Sequence, residues 1–213
     1  VGLLCACGVG ESSSPLVDAV APVQSAESAG PATAATAVPS ASGATAGRVP
    51  VLVPRVLAVW PHDPSAFTQG LVFDNGQFLE STGQYGSSEL RRVELESGLV
   101  LQRVALSPRH FGEGLALLGD RLIQLTWREG LASVVRADSF ERISEWRYQG
   151  EGWGLAFDGK RLVMSDGSEF LTFRNPESFA VVGRLLVTEQ GTPVGYLNEL
   201  EWAEGSIWAN VWQ

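Results

Sequence analysis

The sequence predicts an all-β propeller, a ring of small twisted sheets, and three observations carry that prediction. The first is a short theme at Gln69-Gly70-Leu71, Glu113-Gly114-Leu115 and Trp153-Gly154-Leu155 that returns altered at Glu199-Leu200. Its second residue falls at 70, 114, 154 and 199, in steps of 44, 40 and 45, the period a four-stranded propeller blade needs. The second is turn chemistry: Asp74-Asn75-Gly76, Leu118-Gly119-Asp120, Asp158-Gly159-Lys160 and Ala203-Glu204-Gly205 follow the theme at equivalent places. Asn-Gly and Asp-Gly supply the positive-φ positions of tight hairpins. The third is that no window carries the 3.6-residue apolar periodicity of a helix.

The elements follow in order. Residues 1–10 are small and apolar, without an initiator Met or a basic stretch, and read as the remnant of an export signal. Leu4-Cys5-Ala6-Cys7 is similar to the lipobox of bacterial lipoproteins, which makes Cys7 the candidate lipidated residue. An ordinary secretory signal with cleavage nearby is the alternative. From Glu11 to Arg48 the chain is dominated by Ala, Ser, Thr, Pro and Gly and has no aromatic residue. It buries too little apolar surface to offset its ordering entropy, so 11–50 reads as a disordered tether. All seven Trp, nine Phe and three Tyr fall in 51–213, enough for one core and one propeller domain.

In that domain the first unit runs Leu71–Phe73, Gln77–Glu80, Leu90–Leu95 and, past Glu96-Ser97-Gly98, Leu99–Leu106. The second has its later hairpin at Ala132–Arg136 and Phe140–Tyr148, the third at Phe170–Phe173 and Ser178–Val187. The fourth reaches Trp212-Gln213 within its opening hairpin. About four blades are therefore expected here, and closure of the ring calls for further sequence.

Composition excludes several chemistries. Both cysteines lie in the leader, so the propeller has no disulfide framework or thiol nucleophile. A formal charge of −9, with no basic cluster larger than Arg91-Arg92, argues against a nucleic-acid partner. His62 and His110 have no metal-ligand spacing and read as loop or rim residues. Ser165 has no histidine placed to complete a hydrolytic triad, and Asp166 reads as a turn anchor.

What precedes each Gly-Leu does not repeat. Phe67-Thr68-Gln69, Phe111-Gly112-Glu113, Gly152-Trp153 and Asn198-Glu199 stand at the heads of the strands nearest the channel, with Trp127 and Trp212 later in their blades. A carboxylate, two carboxamides and several Trp converging on one channel make an aromatic cage with a polar floor, suited to a small planar or cationic group. The bland readings stay open beside this one: a glutamate paired with blade-top amides, turn-satisfying Gln and Asn, and tryptophans packed between blades. Trp60, Trp146, Trp202 and Trp208 are expected to pack.

These strings, with Leu125-Thr126-Trp127, Glu151-Gly152-Trp153-Gly154-Leu155, Ser165-Asp166-Gly167-Ser168, Asn198-Glu199-Leu200-Glu201-Trp202 and Trp208 to Trp212, resemble the plant-type glutaminyl-peptide cyclotransferases and their bacterial members. The resemblance runs from about Arg55 to the C-terminus. It implies a five-bladed propeller that closes the N-terminal glutamine of a peptide or protein to pyroglutamate and expels ammonia. By the same resemblance Glu113 is the general acid/base, Gln69 and Asn198 hydrogen-bond the substrate, and Trp127, Trp153 and Trp212 flank the glutaminyl side chain and offer indole N–H donors.

It implies no required cofactor, with a structural metal in the channel left open, and no metal ligand is assigned. The expected protein is a monomer, periplasmic or extracellular, touching a membrane only through a lipid on Cys7. A non-catalytic binding propeller is the alternative function. A metal-dependent lactonase-type propeller, recruiting Glu113, Asn198 and Glu199, fits less well because the Trp rings crowd a hard-cation cage.

Overall fold

Each tight turn foreseen from the sequence closes a hairpin; Asn75 and Gly76 take φ of 47° and 80°, Glu204 and Gly205 of 52° and 76°. The computed structural model describes residues 4–8 and 51–212, so the expected tether at 11–50 lies outside the described residues. The strands are β1 (Leu4–Gly8), then β2 (Thr68–Asp74), β3 (Gln77–Thr82), β4 (Glu89–Glu94) and β5 (Val100–Ala105). The second set is β6 (Gly112–Leu118), β7 (Arg121–Thr126), β8 (Leu131–Arg136) and β9 (Arg142–Arg147). The third is β10 (Leu155–Phe157), β11 (Leu162–Met164), β12 (Phe170–Arg174) and β13 (Val181–Leu186). A two-residue hairpin, β14 (Thr188–Glu189) and β15 (Thr192–Pro193), precedes β16 (Leu197–Ala203) and β17 (Ser206–Val211).

Three four-stranded antiparallel meanders result, β2 to β5, β6 to β9 and β10 to β13, each with its strands in sequence order. A further sheet has the order β1-β17-β16, with Cys7 opposite Ile207. The innermost strands β2, β6, β10 and β16 are neighbours in turn around one axis. The outermost strands β5, β9 and β13 are largely exposed. These sheets are propeller blades.

The cores lie between blades. Leu79, Leu90, Leu115, Leu122 and Phe140 join the first to the second. Ile123, Leu125, Val134, Leu155, Leu162 and Met164 join the second to the third. Val163, Leu171, Leu197, Leu200 and Ile207 join the third to the fourth. Gly-Leu explains itself here. Leu115, Leu155 and Leu200 fill these cores, whereas Leu71 on the first inner strand is exposed. The glycines let inner strands touch: a Cβ on Gly114 would sit 2.5 Å from Leu155 N and Trp153 O.

One strand expectation is corrected twice in the same way. The return strands expected from Phe140 and Ser178 begin only at Arg142 and Val181. Phe140 and Phe179 instead take φ of 59° and 60°, rare for bulky residues. Burial compensates: Phe140 is 4% and Phe179 2% exposed, and Phe179 stacks on Trp146 at 5.2 Å. Propensity favours strand for phenylalanine, but the inter-blade core claims these rings and fixes the turn around them. Trp146 and Trp202 pack against cores, as expected, whereas Trp60, also expected to pack, is exposed on the segment ahead of the first blade.

Candidate active site

The site is built by irregularities at the heads of the inner strands. The ladders slip between Thr68 and Gly70, between Gly112 and Leu115, and between Leu197 and Leu200. Each slip releases the residues within it, Gln69, Glu113 with Gly114, and Asn198 with Glu199, from regular pairing. A bulge of this kind re-aims a side chain, and here it turns Gln69, Glu113 and Asn198 to the channel. Trp127 and Trp212 stand just past the second strands of their blades, held by backbone bonds from Trp127 N to Phe111 O at 3.0 Å and from Trp212 N to Tyr196 O at 2.9 Å.

All six residues singled out from the sequence line one cavity of about 240 Å³: Gln69, Glu113, Trp127, Trp153, Asn198 and Trp212, joined by Phe67 and Phe111. That volume lies below the roughly 300 to 1,000 Å³ of sites for drug-sized ligands and suits a single amino-acid residue. The aromatic lining falls into two groups. Phe111 meets Phe67 edge-on at 6.1 Å and Trp127 at 5.5 Å, and Trp153 meets Trp212 edge-on at 6.0 Å. Asp166 accepts from Ser168 N at 3.1 Å and anchors the turn at Gly167, φ 81°, on which the Trp153 ring lies.

Glu113 is 4% exposed and accepts one hydrogen bond, from Gln69 Nε2 at 2.7 Å. Burial pushes its carboxyl up to about 8; the Gln69 bond opposes that, and the charges of Glu151 and Glu129 add to it. A carboxyl titrating there sits close to the ordinary value of an N-terminal amine, roughly 7.7 to 8.0, so it can exchange a proton with one at little cost. Glu199 sits deeper. Both its oxygens are out of solvent without a hydrogen-bond partner among the described residues, although the amides of Leu71 and Leu200 face it. Burial holds it well above the usual carboxylate range, with the Glu201 and Glu113 charges adding to the effect.

Two expectations change in detail. The indole N–H groups of Trp127 and Trp153 do not point to a ligand; both donate to Glu151 Oε2, at 2.7 and 2.9 Å. These rings therefore offer faces and edges. Gln69, expected to hydrogen-bond the substrate, donates to Glu113. Glu151 and Glu129, which accepts from Tyr85 Oη at 2.9 Å and from Phe111 N at 3.3 Å, were not found from sequence. Only the Glu151-Gly152-Trp153 string hinted at the first.

His62 contacts Glu80 at 2.9 Å, away from the cavity. Among the described residues no three His, Cys, Asp or Glu gather in metal-ligand geometry.

Comparison with known proteins gives a consistent set. A family model described as glutamine cyclotransferase matches residues 29–213. The glutaminyl-peptide cyclotransferase of Arabidopsis thaliana is 42% identical over 161 residues, which is 75% of this chain and 50% of that protein. The crystal structure of Myxococcus xanthus glutaminyl cyclase superposes with a TM-score of 0.68 at 47% identity, covering 72% of this chain and 65% of that one. The Neurospora crassa Pan2 WD40 domain, at 9% identity and a TM-score of 0.51 over 64% of this chain and 39% of its own, shares the fold alone. The chain thus spans half of the Arabidopsis protein and just under two thirds of the Myxococcus chain.

Proposed function

Because this chain belongs to the glutamine cyclotransferase family, we propose that the full protein converts the N-terminal glutamine of peptides or proteins to pyroglutamate with release of ammonia. The observation that carries this reading is Glu113: a carboxyl 4% exposed, titrating near 8, at the floor of an aromatic cavity sized for one residue. The α-amine nitrogen attacks Cδ of its own side-chain amide. Glu113, ionised, takes the proton from that nitrogen and passes it to the departing amide nitrogen, so the C–N bond breaks as ammonia forms. Nucleophile and electrophile share one residue, so the cavity supplies orientation rather than a covalent partner, and the chemistry requires no organic cofactor. Gln69 holds the carboxylate, and the Asn198 carboxamide, which lines the same cavity, is assigned as donor to the developing oxyanion. Trp127, Trp153 and Trp212 line the cavity and are the rings assigned to flank the glutaminyl side chain.

The test is stoichiometric. The full-length protein, given a Gln-initiated peptide, is expected to release one ammonia per free α-amine lost, and an Asn-initiated peptide of the same sequence is expected to release none. A binding propeller would take up the Gln peptide and release nothing, which would sink the proposal.

We extend it to a monomer acting in a ring of five blades, exported, with Cys7 lipid-anchored to the envelope. Support comes from the lipobox-like Leu4-Cys5-Ala6-Cys7 ahead of the Ala/Ser/Pro-rich tether. Cleavage before Cys7 would remove Leu4, Cys5 and Ala6, three residues of β1, from the edge of β17. Cys7→Ser in the full-length precursor is therefore expected to abolish incorporation of labelled fatty acid and move the protein from the membrane to the soluble fraction. Unchanged partitioning would refute the anchor.

A further inference from the structure

Glu151 joins two walls of the cavity. Its Oε2 accepts both indole N–H groups, Trp127 at 2.7 Å and Trp153 at 2.9 Å, and its Oε1 accepts Arg128 Nε at 3.1 Å. Arg128 then lies over the Trp127 ring with its guanidinium 3.7 Å from the centroid. Trp127 is thus held by its N–H, by the guanidinium over one face and by its T-shaped contact with Phe111, and it lines the cavity. Trp153 is held by its N–H, by Gly167 beneath it and by Trp212 at its edge.

We propose that Glu151 is a positioning residue for the cyclisation, locking the planes of Trp127 and Trp153 through one shared oxygen and setting the electrostatic field at Glu113. The proposal rests on the cyclotransferase reading of the site. An indole on a single χ pair is free to swing when its N–H has no fixed partner, and a loosened wall enlarges a cavity whose contribution is orientation. Burial alone would raise Glu151, but the bonds from Trp153, Trp127 and Arg128 outweigh it and hold it below its ordinary range. It therefore stays negative wherever Glu113 titrates. The groups that face Glu113 are Gln69, Glu151, Glu129, Glu199 and Tyr148. The Glu151 side chain is 35% exposed, so its effect on Glu113 is partly screened.

The experiment uses the full-length protein as wild type, Glu151→Gln and Glu151→Asp. Glu151→Gln keeps the shape but loses the charge and cannot accept all three donors with equal strength. Expected are a kcat/KM lower by roughly tenfold to a hundredfold, mostly through kcat, and an acid limb of the pH profile moved to lower pH. Partial recovery is expected in Glu151→Asp.

The second readout needs no turnover: near-UV circular dichroism of the tryptophans should weaken in Glu151→Gln while the far-UV spectrum is unchanged. Unchanged near-UV signal, or an activity loss without any shift of the pH limb, overturns the proposal. If wild type releases no ammonia, the cyclotransferase reading fails, and the near-UV comparison still decides whether Glu151 locks the rings.

Discussion

Under the proposed function, Glu113→Gln in the full-length protein is expected to lower kcat for cyclisation by about 10² to 10⁴, the range for loss of a positioned general acid/base, while KM moves little. The amide keeps the shape and can still accept from Gln69, so the cavity survives and only proton transfer is lost. In wild type, kcat/KM should rise with pH through about 8, because the proposed base is the ionised form of this carboxyl. Comparable rates for the two proteins would remove Glu113 from the mechanism.

The same carboxyl makes a stability prediction of definite sign. Its folded value, about 8, lies above the ordinary 4.5. Below 4.5 both folded and unfolded chains hold the proton; between 4.5 and 8 only the folded chain does, so stability falls as pH rises across that window. A shift of that size corresponds to on the order of 5 kcal/mol, present at low pH and lost by pH 8. Glu113→Gln removes the penalty, so its denaturation midpoint should pull ahead of wild type steadily from pH 4.5 to 8. Parallel curves would show that Glu113 is not buried uncharged. The conflict is physical: burial that makes the carboxyl useful near neutral pH makes its ionised form costly.

The second large effect falls on the frame. In Gly154→Ala the new Cβ would overlap Asn198 O and lie 2.8 Å from both Glu199 Cα and Leu200 N. These are backbone atoms of the next blade and cannot rotate aside, so the change should cost about 3 kcal/mol, the upper end of overpacking. It should also part Trp153 from Asn198 and reduce activity beyond the stability loss. Gly195→Ala, where a Cβ meets nothing within 4 Å, is the control and should be close to neutral in urea denaturation. Equal midpoints for the two variants would refute close approach as the reason for the glycine.

The period of Gly-Leu and the positive-φ turn pairs made the blades legible, because both are local requirements that one hairpin imposes on its own residues. The site was legible as a list of side chains: the changing residues before Gly-Leu, with Trp127 and Trp212, all line one cavity. Phe140 and Phe179 were misread because burial against the neighbouring blade outweighs their preference for strand. Glu151 was missed because its meaning lies in Trp127, 24 residues earlier, and in Arg128, which stacks on that ring. No spacing rule connects such residues.

Residue type and interval thus determined by themselves that this chain folds as repeated antiparallel sheets, and which polar and aromatic groups break the repeat. Only the tertiary structure decided how those groups act. Three bulges turn Gln69, Glu113 and Asn198 to one channel, burial moves Glu113 to about 8, and Glu151 claims the indole protons assigned to substrate. Hydrogen bonding and desolvation depend on which atoms meet, and here the meeting atoms come from blades some 40 residues apart in the chain.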